Sequence, residues 1–185
     1  MRFSYPLSDQ AWLAPLAEKD ALAIFRETEQ SRSYLREFLP WLDSIKSVDD
    51  TRKFIDAELR RCLDQRCDVA SIWYQGDFAG IVSLYNLNWP NRSAAIGYWL
   101  GQRFQGHGLM TQAVRVLVDN ALNQMRLNRI EIRAHVENIR SQKIAKRLGF
   151  SHEGTLKEVE WLYDRYVDHE LFAMTKGTWE ATNKG

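Results

Sequence analysis

The stretch SAAIGYWLGQRFQGHGLMTQA, residues 93–113, decides how this chain folds. Ser93 to Leu100 is rich in strand formers, and Leu109, Ala113, Val116, Leu117, Ala121 and Met125 mark the apolar face of a helix of about four turns. Between them, Gly106-His107-Gly108 frees the backbone to turn its N–H groups toward one point, and the helix start adds partial positive charge. Such a turn binds phosphate by main chain alone. Glycine also punctuates ordinary connections, so the turn by itself is only moderately specific. Two common nucleotide signatures fail here. A P-loop needs Lys and then Ser or Thr after the glycine, where Leu109 and Met110 stand. A dinucleotide fingerprint needs a third glycine, where Thr111 stands, and a parallel βαβ order.

Working outward, residues 69–100 read as an antiparallel meander: Val69–Tyr74, a turn at Gly76-Asp77, Phe78–Leu87, a turn containing Pro90, then Ser93–Leu100. Ahead of it lie one or two amphipathic helices through Ala21–Leu39, stopped by Pro40. A further helix follows from Ser47, where Ser47-Val48-Asp49-Asp50 is a capping-box variant. Downstream, Arg129–Val136 alternates, with Ile130, Ile132, Ala134 and Val136 on one face. Asn138 caps a helix through Leu148, with Gly149 at the position just past its end. Two closing strands, about Glu158–Tyr163 and Tyr166–Thr175, join at Asp164-Arg165. The predicted fold is α+β, a mostly antiparallel sheet with helices on its faces.

Composition narrows the partners. With 25 basic and 24 acidic residues, net charge is +1 and no Lys/Arg run appears. That gives no footprint for nucleic acid and no steering toward anionic lipid. Met1–Leu16 mixes Arg2, Asp9 and Gln10 among apolar residues, so neither a signal peptide nor a membrane span is expected, and the cytoplasm is. Cys62 and Cys67 have no His or Cys partners at metal-ligand spacing, so no metal is expected. Two reduced thiols are the expectation, in preference to a disulfide. At 185 residues a single domain is expected over 1–185, with its core at about 8–178.

Arg103-Phe104-Gln105-Gly106-His107-Gly108 resembles the signature of the GNAT N-acetyltransferases, Arg/Gln-x-x-Gly-x-Gly/Ala between a strand and a helix. Asn138-Ile139-Arg140-Ser141 followed by Leu148-Gly149-Phe150 is similar to that family's second feature. Asp50-Thr51-Arg52-Lys53, Ile96-Gly97-Tyr98-Trp99-Leu100 and Glu153-Gly154-Thr155-Leu156-Lys157 look like its ribosomal-protein branch, the RimJ/RimL group. The resemblance implies a sheet of six to seven strands, splayed at an acetyl-CoA site. It also implies acetyl transfer from acetyl-CoA to a primary amine, most of all the N-terminal amine of a ribosomal protein, and a homodimer.

The resemblance also assigns roles. Tyr98, Trp99, Leu100, Arg103, Phe104, Gln105, Gly106, His107, Gly108, Leu109, Met110, Thr111, Asn138 and Ser141 would hold the cofactor. His107 would serve by its backbone, and the strand through Tyr98–Leu100 would pair with pantetheine. Glu160, with Glu158 on the same face, would be the general base, and the Ser141 hydroxyl would donate to the departing thiolate. Plain readings stand beside these. A strand Glu is mostly a solvated carboxylate, a serine at a helix start is mostly a cap, and Phe104 fits equally as a core plug. His135, His152 and His169 show no partner spacing and read as surface or packing residues. Trp41 and Leu42 are weaker candidates for a wall of the acceptor site. Two rival functions remain: acetylation of a small amine (antibiotic, polyamine or amino acid), and a non-catalytic acyl-CoA-binding module. The intact Ser141 and Glu160 speak against the module. The mixed charges of Asp43, Lys46, Asp49, Asp50, Arg52 and Lys53 speak against a polyamine.

Overall fold

A computed structural model describes residues 4–64 and 67–182. In chain order its elements are β1 (Tyr5–Ser8), β2 (Ala11–Pro15), α1 (Ala21–Gln30), α2 (Arg32–Leu35), α3 (Val48–Leu63), β3 (Asp68–Tyr74), β4 (Asp77–Asn88), β5 (Ser93–Leu100), α4 (Leu109–Asp119), β6 (Arg129–His135), α5 (Ile139–Arg147), β7 (Ser151–Leu162), β8 (Arg165–Thr175) and α6 (Lys176–Thr182). Hydrogen bonding orders the strands β1-β2-β3-β4-β5-β6-β8-β7, with β5 and β6 parallel. The fold is α+β, as expected. Among the described residues the sheet has eight strands, which corrects the expectation of six to seven. The N-terminal hairpin is the difference: β2 pairs along β3 from Ala11↔Tyr74 to Pro15↔Ala70, and β1 adds outside it.

Two compact units divide the chain, Met1–Ser83 with Tyr98–Ala113, and Leu84–Gly97 with Val114–Gly185. In the first, α1, α3 and the meander enclose a core that includes Ile24, Leu42, Ile55, Val69, Phe78 and Trp99. α3 begins where the sequence said it would: the Ser47 hydroxyl accepts from the Asp50 amide and donates to the Asp50 carboxylate. The first turn of the meander lies at Gln75-Gly76, one residue earlier than expected. Both residues have positive φ, 53° and 88°, the two-residue hairpin geometry that matches strand twist. Cys62 and Cys67 are joined by a disulfide, their Cα atoms 4.6 Å apart, which corrects the expectation of reduced thiols.

In the second unit, Ile130, Ile132 and Ala134 of β6 are buried as their alternation predicts. β6 pairs antiparallel with β8 from Arg129↔Thr175 to His135↔His169. α5 ends as expected at Gly149, φ 79°. The Phe150 amide reaches back to the Ala145 carbonyl and the Gly149 amide to the Lys146 carbonyl, satisfying two orphan acceptors. Three boundaries differ. The helix from Leu109 widens after Asp119 into a π turn over Asn120–Gln124, and Asp119 takes the Trp179 indole N–H at 3.2 Å. β7 begins at Ser151 instead of near Glu158, and its hairpin turns at Tyr163-Asp164, one residue early, with Tyr163 at φ 58°.

Candidate active site

Within the first unit, the last residues of β5, from Tyr98 to Leu100, lead into the glycine turn. Gly106 and Gly108 stand at φ 84° and 73°, where glycine alone is unstrained. A Cβ placed on Gly106 would meet nothing within 4 Å, so the turn faces open space. α4 starts at once, and the Gln112 amide bonds the Gly108 carbonyl at 3.1 Å. A helix start presents N–H groups that its own ladder does not take. This geometry fits a phosphate held by main chain.

The side chains of the motif are turned to other work. Trp99, Phe104, Leu109 and Met110 are buried, so any part they take at a cofactor is through their backbone. The Arg103 guanidinium lies 4.2 Å over the Phe104 ring. Its Nε donates to Glu27 at 3.0 Å and its terminal nitrogen to Asp77 at 3.0 Å. Arg103 thus braces the turn. Glu27, on α1 and 2 % exposed, also accepts from the Ser31 hydroxyl at 2.9 Å, and that hydroxyl takes the Gln102 amide at 2.9 Å. Sequence reading missed this clasp. Its signal was a carboxylate on the buried face of α1, three residues after Ile24. His107 packs its ring 5.1 Å from that of Tyr74, and Thr111 is half-buried.

Gly101 explains itself against the clasp: a Cβ there would sit 1.9 Å from the Glu27 carboxylate oxygen. Gly101→Ala should therefore cost about 3 kcal/mol, at the upper end for overpacking. Denaturant unfolding would show it, and a wild-type midpoint would mean that the carboxylate yields freely.

Leu42 is fully buried in the core, so it offers no surface to an acceptor and leaves that candidate list. Trp41 is half-buried, stacked on Phe54 at 5.8 Å. Asp43 is paired with Arg36, Asp49 with Arg52 and Asp50 with Lys53. The Arg36 hydrogen bond holds the Asp43 carboxyl below its ordinary range, and the Ser47 hydroxyl does the same for Asp50.

The second unit carries the other candidates. Asn138 caps α5, its side-chain oxygen accepting from the Ser141 amide at 3.0 Å. Asn138 is thus the N-cap of α5. Gln142 ties the start of α5 to the end of β6, donating to the Val136 carbonyl at 2.8 Å and the His135 carbonyl at 3.2 Å. Ser141→Ala should lower kcat by about 10²-fold, the low end for a positioned proton donor, with the fold retained by circular dichroism. An earlier melt with wild-type turnover would remove Ser141 from the catalytic list.

Glu160 lies on β7, its side chain 34 % exposed, and accepts from His169 Nε2 at 2.8 Å. His152 pairs with Glu170. His152 and His169 read from the sequence as surface or packing residues without partner spacing; each has a carboxylate partner across the sheet and not along the chain. Glu158, at φ 51°, stands in an irregular segment of β7, so strand alternation does not place it beside Glu160. Tyr85 on β4 was also missed. Burial pushes its phenol up from its ordinary value, and Glu160 is among the charges that act on it.

A glycine turn at positive φ ahead of a helix start is the arrangement of a site for a phosphate-bearing cofactor. The chain belongs to the acetyltransferase (GNAT) domain family, which residues 11–151 match. It is 31 % identical over 169 residues to the ribosomal-protein-serine acetyltransferase of Escherichia coli (strain K12), covering 90 % of this chain and 93 % of that one. Among solved structures it is similar to RimL, the ribosomal L7/L12 alpha-N-protein acetyltransferase in complex with coenzyme A. The TM-score there is 0.89 at 27 % identity, over 95 % of this chain and 99 % of that one. It is also similar to the microcin C7 self-immunity acetyltransferase MccE in complex with acetyl-CoA and AMP, with a TM-score of 0.87 at 27 % identity over 91 % and 94 %.

Proposed function

We propose that this enzyme transfers acetyl from acetyl-CoA to the N-terminal amine of a ribosomal protein. The observation that carries the reading is near-full-length similarity to a ribosomal-protein-serine acetyltransferase, in a chain that has the glycine turn, Ser141 and Glu160. The match over residues 11–151 draws on both compact units, which supports one acetyltransferase domain over 1–185, core about 8–178.

Acetyl-CoA supplies an acyl group already activated as a thioester. The amides at Gly106, His107 and Gly108 and at the start of α4 hold its pyrophosphate. β5 pairs with β6 from Ser93↔Arg129 to Ile96↔Ile132 and runs on to Leu100, which supports pantetheine lying along that end of β5. An N-terminal amine has a pKa of about 7.7–8.0, so a minority is neutral at pH 7. Glu160 takes the proton that the nitrogen gives up on acylation, directly or through one water. Ser141 hands its hydroxyl proton toward the sulfur as the C–S bond breaks. A thiol of pKa about 8.5 is a tolerable leaving group, which makes Ser141 the lesser contributor.

A polyamine acceptor is disfavoured by the pairing of Asp43, Asp49 and Asp50 with their own cations. No helix among the described residues is long and apolar enough to cross a membrane. A cytoplasmic location and a homodimer complete the reading, and the Cys62–Cys67 disulfide is the one feature that points away from a reducing compartment. Incubation with acetyl-CoA and a ribosomal-protein extract, read by intact mass, tests the acceptor. One ribosomal protein gaining one acetyl group is expected, and acetylation of free amines alone would move the function to small molecules.

A further inference from the structure

β7 and β8 change register between their base and their tip. At the base Leu156 faces His169, and at the tip Glu160 faces Val167 and Leu162 faces Arg165. Between these pairs β7 spends Lys157, Glu158 and Val159 against the single residue Asp168. The surplus is two residues, so the faces of the strand beyond it are preserved. Asp168 clasps the irregularity: its carboxylate accepts from the Lys157 ammonium at 2.7 Å and from the Glu158 amide at 2.9 Å. The Lys157 hydrogen bond holds the Asp168 carboxyl below its ordinary range, so the clasp stays charged at neutral pH.

Regular pairing continued from Leu156↔His169 would set Glu160 opposite Arg165. That lies four residues from His169, roughly 13 Å along the strand. The surplus draws Glu160 back opposite Val167, a diagonal neighbour of His169 on one face, within reach of a long side chain. There its carboxylate meets His169 Nε2 at 2.8 Å. His169 is itself fixed from the other side. It pairs with His135 on β6, the two rings 6.2 Å apart, and His135 Nδ1 takes the Glu137 amide at 3.0 Å. Because a carboxylate only accepts, the His169 nitrogen is the donor.

We propose that His169 is a positioning residue for Glu160, set in place by the bulge that Asp168 clasps. The ring N–H holds one carboxylate oxygen, Oε2, and so aims the other at the proton to be removed. This rests on the reading of Glu160 as the base, since a solvated carboxylate would gain nothing from being aimed.

The test is a double-mutant cycle assayed with acetyl-CoA and a peptide beginning with serine. His169→Phe keeps the size of the ring and removes the donor, while His169→Gln restores an amide N–H near the Nε2 position. His169→Phe should lower kcat on the order of 10- to 100-fold, as expected of a base misplaced by about 1 Å, with the KM for acetyl-CoA unchanged. His169→Gln should recover most of that loss. In a Glu160→Gln background, His169→Phe should cost nothing further. Wild-type kcat in His169→Phe, with Glu160→Gln slow, overturns the positioning role and leaves the base standing. An equal loss in both backgrounds also overturns it, because His169 then acts independently of Glu160. Wild-type kcat in Glu160→Gln overturns the base and the proposal with it.

Discussion

Glu160→Gln should lower kcat by about 10²- to 10⁴-fold at neutral pH, the usual worth of a positioned general base. The amide keeps the shape of the carboxylate and still accepts the His169 hydrogen bond, so the fold and the β7–β8 register persist. What is lost is the capacity to take a proton. The loss should shrink as pH rises toward and past about 8, because an α-amine then arrives already neutral. Initial rates from pH 6 to 9 on both proteins read this directly. Parallel pH profiles would show that another group, or bulk water, accepts the proton.

Gly108→Val should weaken acetyl-CoA binding without unfolding the protein. Gly108 sits at φ 73°, which a β-branched residue adopts only as a genuine outlier. The turn must relax to another backbone path, and its amides then no longer point together. Losing two hydrogen bonds to a charged phosphate, each about 1.5–3 kcal/mol, weakens binding at least about 10²-fold. No clash drives this, since the nearest protein atom to a Cβ at Gly108 is the Gln112 side-chain nitrogen at 3.6 Å. Calorimetric titration with acetyl-CoA measures the loss, and circular dichroism verifies the fold. An unchanged affinity in a folded variant would place the cofactor elsewhere.

What the sequence made legible was local. The glycine turn, the Asn138 cap and the Gly149 stop each rest on backbone chemistry within a few residues, and all three stand as expected. Strand alternation in β6 was legible for the same reason. The missing parts depend on residues far apart in the chain. The Glu27 clasp spans 76 residues to Arg103, and no spacing rule connects an acid on α1 with a turn after β5. The Glu160–His169 contact depends on a two-residue register surplus, whereas alternation read on β7 alone placed Glu158, and not a histidine, beside Glu160. The N-terminal hairpin escaped because β1 and β2 are only four and five residues long, too short to show a period. Leu42 illustrates the converse error: an apolar residue beside Trp41 read as site wall, whereas its full burial makes it core.

The central claim is acetyl transfer to an α-amine, and the most direct measurement is intact mass on a defined acceptor. Purified protein, acetyl-CoA and two peptides are incubated together, one peptide beginning with serine and the other identical but with a blocked N-terminus and an internal lysine. A gain of one acetyl group on the free-amine peptide alone, lost with Glu160→Gln, is the predicted result. Acetylation confined to the lysine side chain, or acetyl-CoA bound with neither peptide modified, would contradict it.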